Sequence, residues 1–578
     1  MGFNDLELKD VNGKYQETKE ELNKKNHEDS DTLESVLSYI GEMGRYQKWL
    51  FVAMLPFGFI FAFVYFVQMF IAATPQNHWC RVPELDHLDQ ETRRNLTAPL
   101  GNDEWEWDRC ATYNANWSHV LQTMTRPHPD TPTVGCQHGW DFQLGDIPYH
   151  TVVSERGWVC EYSGFAPIAQ AIFFAGSLAG GLLFGWLADR FGRVPALVGT
   201  NLVGCAGGVA SIFTTGFWDF AFCRFLVGMS YDSCFMMMYI LVLEYVGPRH
   251  RTWVANMSLA MYFGSGCLLL PWLAVWINNW RHLLLVTSLP MLVVLAAPFL
   301  VPESARWLSS RGKINQAVDV LRRFERVNRT KIPQDVMDEF IVSSRQTRQT
   351  DESITALFKS GPLRTMMSFM VIVYMACAII FDGLVRMSEN LGLDFFITFT
   401  LTSATEIPSV TLLALVLDRW GRRNLTVGPM WVAGVLSIVA AFVPKGIPQV
   451  TLAIMARFCI NMSYNATIQW ATELLPTGVR ASGSSVVHVS GYIATLVSPF
   501  VVYSERYWRS LPLLLLGVIA LIAGSIGVLL PETNGRPMPQ TIADGERLVR
   551  QYSLCGKPEP DTDVEEWKNE NKQKSLIT

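Results

Sequence analysis

The sequence predicts an all-α membrane protein whose helices form two related halves. Two observations support this prediction: the chain contains twelve apolar runs, and three short motifs occur twice at nearly the same spacing. A helix that spans a bilayer needs about 20 mostly apolar residues, and the runs have about that length. With 578 residues, of which 49% are hydrophobic, the chain is too long and too apolar for a single soluble domain.

The repeated motifs predict a duplicated half. Asp-Arg-Phe-Gly-Arg at 189–193 returns as Asp-Arg-Trp-Gly-Arg at 418–422, an offset of 229 residues (418 − 189). Pro-Glu-Ser at 302–304 returns as Pro-Glu-Thr at 531–533 with the same offset. The motifs adjoin apolar runs, so the repeated unit is a membrane bundle. Two such halves around a site at the bilayer midplane are the architecture of an alternating-access transporter. The third pair is Arg224-Phe225 and Arg457-Phe458, with an offset of 233 (457 − 224).

The apolar runs divide the chain into five parts. We expect a cytosolic tail at 1–48, a first six-helix half at 49–301, a cytosolic linker with short amphipathic helices at 302–363, a second six-helix half at 364–530 and a cytosolic tail at 531–578. No cleavable signal pattern precedes the first run, which is therefore expected to be retained. The runs lie at 49–72, 166–187, 195–214, 218–242, 253–275, 282–301, 364–386, 393–416, 425–443, 449–472, 484–504 and 510–530.

Basic residues near the ends of the runs predict the orientation. Lys and Arg concentrate on the side of the bundle that holds both termini, so we expect both termini in the cytosol. Arg506 and Arg509 go against this trend. The majority side includes Arg190, Arg193, Arg249, Arg251, the basic stretch 306–364, Arg419, Arg422 and Arg423.

The long segment 73–165 is predicted to be an extracellular loop. An even number of cysteines in such a loop indicates two disulfides, and three connectivities are open. The four cysteines are Cys80, Cys110, Cys136 and Cys160. Asn95 and Asn116 begin glycosylation sequons in the same loop, whereas Asn328 begins one that is expected to be cytosolic and unmodified.

Several classes of protein are disfavoured by missing patterns. No Gly-Lys pair is followed by Ser or Thr, so the chain lacks a Gly-rich phosphate loop and a nucleotide is not expected. The formal net charge of −5 gives no reason to expect a nucleic-acid partner. No cluster of His and Cys has the spacing of metal ligands, and no nucleophile, base and oxyanion set suggests an enzyme. We therefore expect no cofactor and no metal.

Segments at the ends of several runs resemble one family. Gly44–Gln47 precedes the first run, His78–Pro83 follows it and Trp158–Cys160 closes the loop, while Pro302–Leu308 and Pro531–Thr533 follow the sixth and twelfth runs. Together these segments resemble solute carrier family 22, the organic cation, carnitine and organic anion transporters of the major facilitator superfamily. The resemblance covers nearly the whole chain except the tails. It implies the major facilitator fold, with twelve transmembrane helices in two pseudo-symmetric halves, at the plasma membrane.

Charged residues beside the repeated motifs predict a cytosolic gate. Glycine allows a tight backbone turn, and the acidic and basic groups offer ion pairs to neighbouring helix ends. Our hypothesis is two pseudo-symmetric charge networks that hold the outward-open state and separate as the halves rock. The alternative is charge that only sets topology. The gate residues are Asp189, Arg190, Arg193, Glu244, Arg251, Glu303, Asp418, Arg419, Arg422, Glu473, Arg480 and Glu532.

Acidic residues inside the runs are candidates for substrate binding, because ionisable groups within membranes are usually functional. They are Asp232, Asp382 and Glu406. The resemblance implies that the segment beginning at Glu406 lines the substrate cavity, and Pro408 leaves a backbone carbonyl free beside it. Asp382 stands where related cation transporters have Gln, and an added carboxylate favours a cationic amine. A Glu406 buried only for structure is the alternative.

Aromatic residues complete the predicted cavity. The resemblance aligns Tyr374, Phe381 and Phe235 with cavity aromatics, whose faces attract ammonium groups by roughly 0.5–2 kcal/mol; ordinary helix packing is the alternative for each. Tyr492 stands where family cation transporters have Asp and where carnitine and anion transporters have Arg. A pure anion carrier is therefore disfavoured, although the usual cation contact is missing too. His488, one turn earlier, carries an imidazole, the side chain whose ordinary pKa is nearest neutral pH; a hydrogen-bonded packing residue is the alternative.

The favoured function is a plasma-membrane transporter of organic cations or zwitterionic amines by alternating access. The membrane potential alone supplies about 2.3 kcal/mol per charge per 100 mV for a cation. An amine with an imidazole, such as carcinine, is compatible with Asp382, Glu406 and the aromatics. The runner-up is an organic anion or carnitine carrier, if Arg224 and Arg457 face the cavity, and a non-transporting receptor or scaffold is a further alternative. The oligomeric state is left open.

Overall fold

The computed structural model describes residues 32–101, 107–346, 358–389, 391–476, 479–536, 538–539 and 541–551. Ten helices in this part of the chain are long and apolar enough to cross a membrane. They are α1 (Arg45–Ile71), α2 (Cys160–Phe191), α3 (Arg193–Phe213), α4 (Phe217–Tyr245), α5 (Arg249–Ile277), α6 (Trp280–Leu300), α7 (Gly361–Glu389), α8 (Phe395–Trp420), α9 (Arg422–Phe442) and α11 (Ser482–Arg506).

Two further helices complete the twelve that the sequence predicts. Helix α10 (Ile447–Leu474) has 28 residues, and α12 (Leu511–Gly527) is an apolar helix of 17 residues. Helix α10 is less apolar because several polar side chains, Arg457 and Asn461 among them, are buried along it. The twelve helices follow the order of the twelve apolar runs. We call the side of the bundle with the repeated turns the motif side, and the opposite side the loop side.

Three helices of the bundle are interrupted near their middle. In α4 the helix Phe217–Ser230 ends before Tyr231 and Asp232, and a second helix begins at Ser233. Helix α5 contains a π-helical stretch at Leu259–Phe263. Helix α8 breaks at Thr405, three residues before Pro408, whose nitrogen donates no backbone hydrogen bond to the preceding turn. Interrupted helices and π-helical turns are frequent at functional sites of membrane transporters.

Each half of the bundle has its own hydrophobic core. Buried side chains of α1–α6 form most of one cluster, and those of α7 and α9–α12 form most of another. The halves meet where α2 packs against α11 and where α5 packs against α8. At the loop side, the ring of Phe70 on α1 lies 5.1 Å from that of Phe395 and 5.0 Å from that of Phe399, both on α8.

The segment between α1 and α2 folds into a small domain. Strand β1 (His78–Cys80) pairs antiparallel with β4 (Trp140–Phe142), and β2 (Ala111–Tyr113) pairs antiparallel with β3 (Thr133–Gly135). Short helices lie between the strands at Pro83–Leu85, Gln90–Thr97 and Trp117–Thr123, and the helix Val152–Arg156 follows the last strand. We call this segment the loop domain.

Two disulfides bond the loop domain, and one of them, together with an ion pair, attaches it to the first half. Cys80 is bonded to Cys136, and Cys110 is bonded to Cys160, the first residue of α2. These bonds select one of the three connectivities that the sequence left open. Glu155 accepts two hydrogen bonds from the Arg281 guanidinium of α6, at 2.5 and 2.6 Å. The pKa of Glu155 is lowered, chiefly by these bonds to Arg281.

Helices on the motif side lie in both tails and in the linker. The linker forms the helices Ala305–Ser310, Ile314–Asn328 and Gln334–Gln346. Thr32–Ile40, within the segment that we expected to be a polar tail, packs its buried Leu and Val side chains against Gln334–Gln346. The helix Ile542–Gln551 packs against the beginning of α7.

The sequons at Asn95, Asn116 and Asn328 differ in their surroundings. Asn95 and Asn116 are exposed in the loop domain. Thr97, the third residue of the first sequon, is buried and donates a hydrogen bond to the Arg93 carbonyl at 2.8 Å. The amide of Asn328, on the linker, donates to the Ile40 carbonyl at 3.1 Å and to Gln47 at 2.8 Å. Asn328 therefore joins the linker to Ile40, which precedes α1, and to Gln47 in the first turn of α1.

Candidate substrate site and motif-side turns

The first repeated motif forms a capped turn between α2 and α3. Gly192 has a φ of +112°, a conformation that favours glycine, and a Cβ there would collide with the Glu303 carboxylate. Glu303 accepts hydrogen bonds from the backbone N–H groups of Arg193 and Val194, at 2.9 and 3.1 Å. Arg193 also pairs with Asp189 at 2.7 Å. A carboxylate at this helix start stabilises the partial positive charge of the helix end.

The second motif repeats this arrangement between α8 and α9. Gly421 has a φ of +84°, and Glu532 accepts from the backbone N–H groups of Arg422 and Arg423 at 3.0 and 3.1 Å. Arg422 pairs with Asp418 at 3.0 Å and with Glu473 at 3.0 Å. The two turns are therefore equivalent in their glycine, their capping glutamate and their arginine.

The remaining predicted gate residues surround these turns. Glu244 accepts a hydrogen bond from Ser304, as Glu473 does from Thr533 at 2.6 Å. Arg480 donates to the Leu475 carbonyl at 3.2 Å. Arg251 lies 3.3 Å from Glu34 of the amino-terminal helix, Arg190 lies over the ring of Trp186, and Arg419 is exposed at the end of α8.

The gate contacts described above join residues of one half to each other or to the adjoining linker or tail. Between the halves on the motif side, Gln469 of α10 donates to Asn256 of α5 at 3.4 Å. The charge networks therefore hold each half's turns, and their predicted part in closing one half on the other stays a prediction.

A large cavity opens between the halves beneath the loop domain. Its volume is about 1140 Å³. Residues from the loop-side ends of α1, α2, α7 and α11 line it, including Gln68, Gln170, Arg386, Glu389 and Tyr503. On its rim the Glu389 carboxylate accepts from the Thr74 N–H at 2.8 Å, and the hydroxyls of Ser163 and Tyr503 lie 3.0 Å apart. The bundle is thus open toward the loop side.

Asp382 is buried in an ion pair below this cavity. Its side chain is 0% exposed and accepts from Arg386, one turn later on α7, at 2.6 and 3.0 Å. The Tyr65 hydroxyl of α1 donates to the same carboxylate at 2.8 Å. The charge that the sequence predicted for a substrate amine is therefore balanced by an arginine, and the Tyr65 bond joins the two halves.

Glu406 is also paired with an arginine. Arg457 of α10 donates to one carboxylate oxygen, and Asn461 donates to the other at 2.5 Å. The Arg457 guanidinium lies 3.4 Å from the ring centroid of Phe381 and donates to the Phe381 carbonyl at 2.7 Å. The predicted substrate contacts Glu406 and Phe381 thus meet at one buried cation of the protein.

A second group of predicted residues meets around Tyr374. Its hydroxyl lies 3.1 Å from that of Tyr464 and 3.4 Å from the His488 ring nitrogen Nδ1. The rings of Tyr374 and Tyr464 are stacked at 5.4 Å. Gly491 permits this approach of α7 to α11, because a Cβ there would lie 2.5 Å from the Tyr374 ring. Phe235 is separate: it is buried in the first half and stacks on Phe61 at 5.5 Å.

Asp232, the third acidic candidate inside the apolar runs, meets the second half through Tyr492, a contact that the sequence does not show. It lies at the interruption of α4, is half-buried, and accepts a hydrogen bond from the Tyr492 hydroxyl of α11 at 2.5 Å. His488, one turn before Tyr492, interacts electrostatically with it. Position 492, where related cation transporters are expected to have Asp, is therefore next to a carboxylate supplied by another helix.

Comparison with known proteins identifies the family. Residues 134–542 match the family described as sugar (and other) transporters. The chain is 30% identical to solute carrier family 22 member 1 of Oryctolagus cuniculus over 541 residues, which covers 90% of this chain and 96% of that protein. This chain belongs to solute carrier family 22. It is a multi-pass membrane transporter, not an enzyme, and its substrate is a small molecule.

Other members of the family are similarly close. The beta-alanine transporter of Drosophila melanogaster is 31% identical over 90% of this chain and 90% of its own length. The carcinine transporter of the same organism is 29% identical over 90% of this chain and 80% of its own length.

Solved structures confirm the predicted fold. The xylose transporter XylE from E. coli, in an inward-open conformation, matches with a TM-score of 0.56 at 15% identity, over 85% of this chain and 98% of that one. At this identity the likeness supports the major facilitator fold alone. The prediction of twelve helices in two pseudo-symmetric halves is confirmed.

Proposed function

We propose that this family member moves organic cations or zwitterionic amines across the plasma membrane, and that Asp232 binds the substrate ammonium. The observation that supports this most is the different pairing of the three carboxylates inside the bundle. Asp382 is paired with Arg386, and Glu406 with Arg457. The Asp232 carboxylate instead accepts a bond from a neutral hydroxyl. The names of the carcinine and beta-alanine transporters agree with an amine substrate.

An ammonium group gains more at Asp232 than at the other two carboxylates. At Asp382 or Glu406 it would have to compete with a buried arginine already in hydrogen-bond contact. Breaking such a buried pair leaves an uncompensated charge and costs about 3–5 kcal/mol. At Asp232 the ammonium replaces a neutral Tyr492 donor with a charged one, and hydrogen bonds between charged partners are roughly twice as strong.

Aromatic rings beside Asp232 suit the same ligand. Tyr231 precedes it on α4, and its ring lies 4.8 Å from that of Tyr65. Tyr464 is half-buried and stacks on both Tyr374 and Phe381. Ring faces attract an ammonium by about 0.5–2 kcal/mol, so these rings add affinity without fixing the shape of the substrate.

Hydrogen bonds that cross between the halves, and that a movement of the halves would break, support an alternating-access mechanism. We infer that residues 49–301 rock against residues 364–530, with 302–363 as the linker, and that the motif side faces the cytosol. The Tyr492–Asp232 and Tyr65–Asp382 bonds both join the halves. Substrate binding at Asp232 releases the first of them and so favours the movement. For a cation the membrane potential contributes about 2.3 kcal/mol per charge per 100 mV.

The test is amine uptake by the full-length protein with Asp232→Asn. With surface expression matched by biotinylation, we expect kcat/KM for every transported amine to fall at least about tenfold, equivalent to about 1.4 kcal/mol. Tyr492→Phe removes the competing hydroxyl and should lower KM. Asn465→Ser alters the equivalent position of the second half and should leave uptake unchanged.

Two results would overturn the proposal. One is amine uptake by Asp232→Asn at the wild-type level. The other is accumulation of a carboxylate without an amine, such as hexanoate, when no amine is accumulated; that result would favour the organic anion or carnitine carrier.

A further inference from the structure

Arg224 is a buried cation without a counter-ion in the described part of the chain. Its side chain lies in α4 and is 0% exposed. Its Nε donates to Gln68 of α1 at 3.0 Å. Its two terminal nitrogens, Nη1 and Nη2, have no hydrogen-bond partner among the described residues. A buried charge with unsatisfied donors is costly, which makes an external anion a favourable partner.

The second half shows what Arg224 lacks. Its equivalent there is Arg457, which is neutralised by Glu406 of α8. With the offset of the adjoining Asp-Arg-x-Gly-Arg motif, the position equivalent to Glu406 is Ser177 of α2 (406 − 229). Ser177 is 1% exposed, and its hydroxyl has no partner among the described side chains and backbone. The first half therefore keeps the arginine and replaces its carboxylate with a small neutral residue.

The neighbours of Arg224 form a site rich in donors. Gln68 and Gln170 both line the loop-side cavity, and both are at most 3% exposed. Gln68 Nε2 and both amide atoms of Gln170 are without partners in the described residues. With the Arg224 terminal nitrogens, these side chains offer more donors than acceptors, and a planar carboxylate matches the guanidinium fork.

We propose that Arg224, Gln68 and Gln170 bind the carboxylate of a zwitterionic substrate that enters from the loop-side cavity. This inference rests on the proposed binding of the ammonium at Asp232. Arg224 and Asp232 are eight residues apart on α4, which corresponds to about 12 Å of helix rise. A linear ω-amino acid, with its charges at opposite ends, fits this separation better than an α-amino acid does.

The test compares 6-aminohexanoate with 6-aminohexanamide, which keeps the ammonium and the length but lacks the carboxylate. In proteoliposomes with the wild-type protein, we expect the acid to have a KM about tenfold lower than the amide. Arg224→Gln should abolish this preference while the amide KM changes less than about twofold. Ser177→Asp should do the same by supplying an internal carboxylate for Arg224, and Ser177→Ala is its matched control.

A second measurement does not depend on the variants. Thermal unfolding of the purified wild-type protein in detergent should shift upward more with 6-aminohexanoate than with the amide at equal concentration. Equal shifts and equal KM values for the two probes would overturn the carboxylate site, while amide uptake that needs Asp232 would leave the proposed function standing. A preference for the acid that survives in Arg224→Gln would also overturn it. Uptake of neither probe would count against the proposed function itself.

Discussion

The two halves of the bundle are most alike in their motif-side turns and least alike in the charged residues buried inside the bundle. On the motif side, Gly192 and Gly421 share a positive φ, and each lies against a glutamate that caps the next helix. Inside the bundle, Arg457 is paired with Glu406, whereas Arg224 has Ser177 at the corresponding position.

This difference separates two tasks of one duplicated chain. The shared turns shape how the helices connect, and a change there should affect both halves in the same way. In the proposed mechanism, the unshared interior positions distinguish one solute from another. Asp232 follows the same pattern, since its counterpart Asn465 is neutral and donates to Asn461 of its own helix.

The largest expected effect concerns Glu406, which is paired with Arg457, and Ser177, the residue at the equivalent position of the first half. Glu406→Gln should lower the free energy of unfolding by about 3–5 kcal/mol, because it leaves Arg457 buried and uncompensated. Ser177→Ala, at the equivalent position, should change it by less than about 1 kcal/mol. Thermal unfolding in detergent measures both. Adding Arg457→Gln to Glu406→Gln should recover more than half of the loss, and equal stability of Glu406→Gln and wild type would show that the pair is not needed.

The loop domain, which belongs to the first half only, should make that half sensitive to acid. Burial lowers the pKa of His78 to about 4, against an ordinary value of about 6.5. Between these pH values the unfolded loop domain binds more protons than the folded one, so its stability falls as the pH falls from 6.5 to 4. The loss approaches about 3 kcal/mol.

Hydrogen exchange in the loop domain measures this acid sensitivity. After correction for intrinsic rates, exchange of residues 78–142 should be faster at pH 5 than at pH 6.5. His78→Asn keeps a donor toward the Pro75 carbonyl and should remove most of the pH dependence. A loop domain equally protected at both pH values, after correction for intrinsic rates, would contradict this prediction.

The turn glycines should respond alike, which tests the similarity rather than the difference. Gly192→Ala and Gly421→Ala each place a Cβ against a glutamate at a strained φ, at a cost of about 1–3 kcal/mol each. Thermal unfolding should show similar losses for the two variants. A loss confined to one half would show that the two turns are not equivalent in energy.

The smallest expected effect concerns the two loop-domain sequons. Asn116 begins its helix and is followed by exposed Ser118, whereas Asn95 lies inside a helix whose Thr97 hydroxyl is buried and bonded. We expect Asn116 to be glycosylated more completely than Asn95. Mobility shifts of Asn116→Gln and Asn95→Gln after expression in a glycosylating cell measure this, and a larger shift for Asn95→Gln would contradict it.

The helices and the symmetry of this fold could be predicted from sequence because they depend on local patterns. Apolar run length sets a spanning helix, and repeated motifs mark a duplicated half. The Asp382–Arg386 pair was also within reach, since residues four apart on a helix face each other. Its consequence is a carboxylate that is already neutralised, and the sequence alone does not show whether two side chains one turn apart are in contact.

The candidate site could not be predicted to the same extent because it depends on distant helices meeting. Tyr492 and Asp232 are 260 residues apart and touch only because α11 packs against the first half. The partner of Glu406 is on α10, and the disulfide connectivity depends on the fold of the loop domain. The helix at Thr32–Ile40 was missed because its apolar face is short within a polar tail.

The attachment of the loop domain has a consequence for measuring motion. Its disulfide to the first residue of α2 and the Glu155–Arg281 pair fix it to the first half. Its described contacts with the second half are noncovalent, such as the hydrogen bond from the Thr74 N–H to Glu389 of α7 and the ring contact of Tyr149 with Phe396 of α8. The loop domain should therefore move together with the first half, outside the membrane. A spectroscopic label on its surface, paired with one at the loop-side end of α11, converts each transport cycle into a change of distance that is read outside the membrane.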